Sequence, residues 1–163
     1  MKRPTLLAFA TGLLLAAGSV NAQDFKFPIG EDSKFNWQSY EDFKARSGSL
    51  QGQTLTIFGP WRGEDEALFR SVLAYFIDAT GIDVKYSSSE NYEQQIVIDT
   101  QAGSPPDIAI LPQPGLIADL ASKGLLAPLG EETQKWLQDN YAAGQSWVDL
   151  GTYKGADGAE ALY

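Results

Sequence analysis

Between Asp65 and Ala79 apolar residues fall as adjacent pairs four positions apart: Leu68 and Phe69, Val72 and Leu73, Phe76 and Ile77. That spacing lays one continuous apolar stripe along a helix, and Gly81 supplies its C-terminal stop. The helix is flanked by two strand patterns. Before it, Leu55, Ile57 and Phe58 make a short β-rich run closed by Gly59-Pro60. After it, Ile82, Val84 and Tyr86 alternate with Asp83 and Lys85, as in a half-buried strand. Strand, helix, strand in this order defines a βαβ unit.

The alternation continues. Tyr92 to Ala102 predicts a second helix with Tyr92, Ile96 and the Val97/Ile98 pair facing inward, and Pro105-Pro106 forbids its continuation. Asp107 to Leu111 is a nearly unbroken apolar run of the kind found in a central parallel strand, ended by Pro112-Gln113-Pro114-Gly115. Leu116, Ile117, Leu120 and Ala121 predict a helix stopped at Gly124, followed by apolar coil through Leu129. A further helix over Glu131–Asn140 points Trp136 and Leu137 toward the core, and Tyr153-Lys154-Gly155 reads as a strand entering a turn. The expected fold class is α/β with a mainly parallel sheet flanked by helices. Upstream, residues 23–53 read as a polar extension and linker with scattered aromatics, and Ser33 to Arg46 allows a short helix.

The first 22 residues differ from all of this. Lys2 and Arg3 precede an apolar run from Leu6 to Val20 that closes with Val20-Asn21-Ala22, the pattern of a secretory signal peptide cut after Ala22. A membrane anchor needs about 20 uninterrupted apolar residues, more than this run supplies. The expected organisation is therefore a signal peptide at 1–22, an extension and linker at 23–53, and one α/β unit from 54 to 163. The sequence holds no cysteine, which excludes disulfides and lipid attachment at the cut, so a soluble, unstapled mature chain is expected. It also holds no histidine, which removes Ser-His-Asp and Cys-His catalysis and most zinc sites. No metal or cofactor is expected. The net charge of −9 becomes −11 when Lys2 and Arg3 leave, a surface that repels nucleic acid and anionic membranes.

In open α/β sheets the loops at the carboxyl ends of the strands gather on one edge, where ligands bind. Three loops qualify: Gly59 to Glu66, Ser87 to Tyr92, and Pro112 to Gly115. The first sets Trp61, Arg62 and Glu64 within four residues: an aromatic face, a fork of donors and a carboxylate. Sugars want that combination, since their C–H faces pack on rings and their hydroxyls bond to charged groups. The competing reading gives Trp61 to the core and Glu64, Asp65 and Glu66 to the helix dipole. Asn91 and Tyr92 read either as contacts to ligand hydroxyls or as an N-cap and a core aromatic. Gln113, stiffened between two prolines, is a candidate amide contact. Asp107 reads as a residue that satisfies backbone groups at a turn. Trp37, Trp136 and Trp147 read as packing residues.

From Leu55 to Leu129 the motifs Trp61-Arg62-Gly63-Glu64, Phe76…Thr80-Gly81-Ile82-Asp83-Val84, Pro106-Asp107-Ile108-Ala109 and Leu120-Ala121…Gly124-Leu125-Leu126 occur in order. In this combination the chain resembles the carbohydrate-binding proteins of ABC importers, and among them the alpha-glucoside-binding periplasmic proteins. The resemblance implies two α/β lobes joined by crossing strands, with an oligosaccharide held in the cleft and presented to permease subunits. This sequence would then be the N-terminal, periplasmic-binding-protein-like lobe, truncated before the second lobe as the first crossing strand begins near Ala159–Tyr163. By motif position it implies sugar contacts from Trp61, Glu64 and Gln113, with Arg62 and Tyr92 as lesser transfers. Two other classes compete. A glycoside hydrolase would have to use Glu64, Glu66 or Asp107, but Glu64 and Glu66 stand two apart at a helix start and do not oppose each other. An exported interaction domain would show a shallow surface around Trp61.

Overall fold

A computed structural model describes residues 25–31 and 33–163; the signal peptide expected at 1–22 lies outside them. The stripe helix forms as α2, Glu64–Thr80, between β1, Thr54–Phe58, and β2, Asp83–Ser87. Gly81 ends α2 in the left-handed conformation, φ 73°, and its N–H reaches Ile77 O at 2.7 Å. The second helix is α3, Tyr92–Gln101, and it leads to β3, Ile108–Ala109. The three strands are parallel in the order β2-β1-β3, with β1 central. Phe58, Tyr92 and Ile96 form the core between β1 and α3, and Val97, Ala109, Leu111 and Leu116 pack against it.

The run 107–111 was expected as a central strand, but only two of its residues enter the ladder, and on the sheet's edge. What fixes its register is Asp107. Its Oδ2 accepts from Thr56 N at 2.8 Å and Thr56 Oγ1 at 2.6 Å, while its own N–H donates to Thr56 Oγ1 at 2.9 Å. These bonds hold the carboxyl below its ordinary range, and they give Asp107 the backbone-satisfying role read from sequence. On the outer side of β3 an apolar trough of about 540 Å³ runs from Pro106 past Ile108 to Leu125–Leu129 and Tyr163.

The fourth helix, α4, spans Pro114–Ser122, so Pro114 and Gly115 open the helix rather than end a turn; Pro at the first helical position loses no hydrogen bond there. Leu120 and Ile96 are the most completely enclosed large side chains among the described residues. Two inward assignments need correction. Ile98 is 58% exposed, because the pair Val97/Ile98 straddles the helix face and only Val97 reaches the core. On α5, Glu131–Asn140, no residue is buried: Trp136 is 48% exposed and meets Tyr141 edge-on at 5.6 Å. Trp147, also read as packing, is exposed on α6, Gly144–Leu150, a short helix the sequence pattern did not announce. The chain closes with an antiparallel hairpin of β4, Thr152–Lys154, and β5, Glu160–Leu162.

The N-terminal aromatics cover the outer face of α2. The helix allowed within 33–46 is α1, Trp37–Ser47, capped by the Asn36 side chain. Phe43 stacks on Phe76 at 6.1 Å, and Tyr75 gathers Phe25, Trp37 and Tyr40 around its ring. Leu50 N donates to Thr80 O at 2.8 Å, so the segment read as linker is tied to the end of α2. Beneath α1, Lys44 Nζ meets Asp78 Oδ2 at 2.7 Å and the Tyr40 hydroxyl donates to the same oxygen. Lys44 and then Tyr40 hold the Asp78 carboxyl below the usual carboxylate range. A carboxylate depressed on folding stabilises above its unfolded pKa, about 3.9, and that contribution is lost as pH falls through the folded value. Asp78→Asn should therefore flatten the fall in stability below about pH 4, read by urea denaturation at a series of pH values.

Candidate functional site

The carboxyl ends of the three parallel strands are drawn together by backbone and phenol hydrogen bonds. Gly59 N donates to Ser87 O at 3.1 Å, joining the loops after β1 and β2, and Ile110 N donates to Phe58 O at 2.9 Å, joining β3 to β1. Two tyrosines complete the frame. Tyr86 lies beneath the first loop, where its hydroxyl accepts from Trp61 N at 3.0 Å and donates to Trp61 O at 2.9 Å. Tyr92 is buried, and its hydroxyl reaches Phe58 O at 3.3 Å and also Ile110 O. Burial pushes the Tyr92 phenol up to about 12, so it remains a donor to these carbonyls throughout the ordinary pH range.

These bonds decide where each expected site residue stands. Trp61 is partly exposed, its indole backed by Phe69 at 4.6 Å, and Phe69 in turn meets Tyr86 at 5.1 Å. Neither deep core nor free surface describes it: its backbone is clamped and its ring lies on an aromatic shelf. Glu64 is exposed in the first turn of α2, after Gly63 at φ 60°. Arg62 reaches across to the second loop and pairs with Glu90 at 3.0 Å. Gln113 is exposed at the N-cap of α4, but its side chain makes no capping bond, which leaves the amide available. Asn91, at the N-cap of α3, likewise makes no capping bond. Tyr92 differs, because its hydroxyl is spent on two main-chain carbonyls and its ring belongs to the core. Its place in the site is to hold strand ends together.

Between the loops lies a depression of about 310 Å³, walled by Pro60 on one side and Pro112 on the other and floored by residues 89–94. It is smaller than the trough beside β3, but polar where the trough is apolar, and it sits at the strand ends. Ser89 Oγ, in its lining, is buried without a hydrogen-bond partner. Sequence reasoning passed over Ser89, Glu90 and Glu93. The signal was present in Ser87-Ser88-Ser89-Glu90-Asn91, a run of polar side chains between a strand's carboxyl end and a helix start.

Two of the three carboxylates weighed for hydrolysis are otherwise engaged, which leaves Glu64 without an opposed partner. Glu66 pairs with Arg70 at 2.7 Å, and Asp107 is bonded to Thr56 within the sheet, upstream of the loops that hold Glu64. Arg70 itself donates to Tyr86 O at 3.0 Å and lies 5.4 Å over the Tyr86 ring, which buttresses the clamp on Trp61. The geometry offers a polyol an aromatic face and several donors and acceptors, without an opposed acid–base pair.

In open parallel α/β folds ligands bind at the carboxyl ends of the strands, the edge on which this polar rim lies. Residues 63–162 match the family described as bacterial extracellular solute-binding protein, and the chain belongs to it. Proteins of this family bind solutes and are not enzymes. Among its relatives is the alpha-glucosides-binding periplasmic protein AglE of Rhizobium meliloti, 71% identical over 168 aligned positions, covering 100% of this chain and 36% of that protein. The osmoprotective compounds-binding protein GgtB of Synechocystis sp. is 37% identical over 110 positions, 67% of this chain and 26% of that protein. The chain thus spans about a third or less of the length of these relatives. Among the described residues, no helix is long and apolar enough to cross a membrane.

Proposed function

We propose that this chain forms the sugar-capturing rim of the substrate-binding component of an ABC importer. It takes an oligosaccharide, an alpha-glucoside, in the periplasm and delivers it to the permease subunits, having been exported by a signal peptide cut after Ala22. The likeness to AglE supports the sugar class. The observation that carries the reading is the clamped, partly exposed Trp61 beside a polar depression at the strand ends. In this account the indole packs on the C–H face of a glucosyl unit, Glu64 accepts from its hydroxyls, and the free amides of Gln113 and Asn91 add neutral hydrogen bonds. Arg62 contributes from the same loop as Trp61, reaching toward Glu90 on the second. Tyr92 serves from within, by fixing the two strand ends on which these residues stand.

Calorimetric titration with maltose, trehalose and sucrose, taken to millimolar sugar, tests the proposal. At least one should give a saturable heat, and Trp61→Ala should weaken it by about 2 kcal/mol, roughly thirtyfold, as for a central aromatic anchor. Absence of heat with all three, together with no shift in melting temperature, would remove the sugar assignment.

A further inference from the structure

Arg62 and Glu90 are both exposed, with side chains 52% and 78% accessible, yet they meet at 3.0 Å across two different loops. An ion pair this open to water adds little to stability, because solvent screens it and two long side chains are ordered to form it. Its position is more telling. Glu90 lines the depression between Pro60 and Pro112, and Arg62 stands two residues beyond Pro60. The neighbouring guanidinium, that of Arg70, is already committed to Glu66, Tyr86 O and the Tyr86 ring.

A guanidinium offers five N–H donors and a carboxylate about four acceptor sites. After one contact between them, the Arg62–Glu90 pair still presents donors and acceptors side by side. That is the complement of two adjacent sugar hydroxyls, one oxygen accepting from Arg62 while the neighbouring hydroxyl donates to Glu90. The pairing also orients the carboxylate, which would otherwise sample many rotamers at its level of exposure, so less freedom is lost when the ligand arrives. Ser89, adjacent in sequence and in the same lining, has a buried hydroxyl still without a partner. Asn91 adds an amide that caps nothing.

We propose that the Arg62–Glu90 pair is a preassembled subsite for a vicinal diol of the sugar, and that Glu90 determines specificity for the hydroxyl arrangement at the mouth of the depression. This rests on the sugar-capturing reading of the same rim. The experiment uses whichever of maltose, trehalose and sucrose binds the parent chain most tightly, together with its monodeoxy derivatives, titrated calorimetrically into the parent, Glu90→Gln, Arg62→Met and the double variant. Each single variant should bind the parent sugar roughly tenfold more weakly, and the double variant hardly worse than either, since the two groups act as one unit. One adjacent pair of deoxy derivatives should bind the parent chain about as weakly, and lose nothing more on substitution. Urea midpoints should stay at the parent value. Variants that keep the parent affinity overturn the subsite while the sugar-binding reading stands. Equal weakening for the sugar and every deoxy derivative also overturns it, by showing a general field or a folding defect. A parent chain that binds none of the sugars overturns both.

Discussion

Tyr92→Ala should cost about 3–5 kcal/mol of folding stability, the range for deleting a large buried ring. The side chain is 4% exposed, its ring lies 4.7 Å from Phe58, and it packs in one cluster with Ile96. Its hydroxyl also serves Phe58 O and Ile110 O, one on the central strand and one beyond β3. Losing the ring opens a cavity between β1 and α3, and losing the hydroxyl takes the phenol donor from Ile110 O, while Phe58 O keeps the Ile110 N–H. Domains commonly hold about 5–15 kcal/mol in all, so the variant should be close to unfolding at ambient temperature. Tyr92→Phe separates the parts: the ring remains, and about 1–3 kcal/mol should be lost. Urea denaturation of both variants reads the difference. If alanine costs less than about 1 kcal/mol, Tyr92 does not hold the strand ends.

Gly59→Ala should damage the rim with a smaller loss of stability, about 1–3 kcal/mol for overpacking. A methyl group at residue 59 would lie 2.7 Å from Tyr86 Cε2 and 2.8 Å from its hydroxyl oxygen. The ring cannot easily yield. Both its bonds to the Trp61 backbone fix its tip, while Phe69 and the Arg70 guanidinium hold it from the side. Moving it releases the clamp that presents the indole. The expected signature is a change in tryptophan fluorescence with an otherwise native far-ultraviolet spectrum. Combining Gly59→Ala with Tyr86→Ala removes the obstruction, so the double variant should be more stable than the sum of the two losses predicts. Simple additivity would show that the glycine is not there for the tyrosine.

The framework of strands and helices was legible because its periods are unambiguous. Paired apolar residues four apart gave α2, and strict alternation gave β2, in both cases to within a residue or so. Patterns failed where an apolar residue had no partner to meet. Trp136 and Leu137 suggested an inward face on α5, but this helix leans chiefly on α6, and a short apolar cluster cannot say what it packs against. β3 looked central because it is continuously apolar; its outer side faces the apolar trough rather than a neighbouring strand.

For the site, the rule that strand ends share an edge picked out three loops that the structure does bring to one rim. It did not separate residues on the rim from those that hold the rim up, because Tyr92 and Trp61 look alike as aromatic neighbours of a strand end. Only the hydrogen bonds tell them apart: the Tyr92 hydroxyl turns inward to two carbonyls, whereas Trp61 is held by its backbone and its partly exposed ring rests on Phe69. Glu90 was invisible for the opposite reason. An acid before a helix has an ordinary explanation in the helix dipole, and nothing in the sequence announces that Arg62 crosses to meet it.

The most direct test follows backbone amide resonances of the isotope-labelled chain during titration with an alpha-glucoside such as trehalose. Saturable shifts should concentrate in residues 59–66, 87–94 and 112–115, with the Trp61 indole N–H among the largest. Shifts centred instead on the apolar trough from Pro106 to Leu129, or spread without pattern over α1 and α5, would contradict a ligand face at the strand ends.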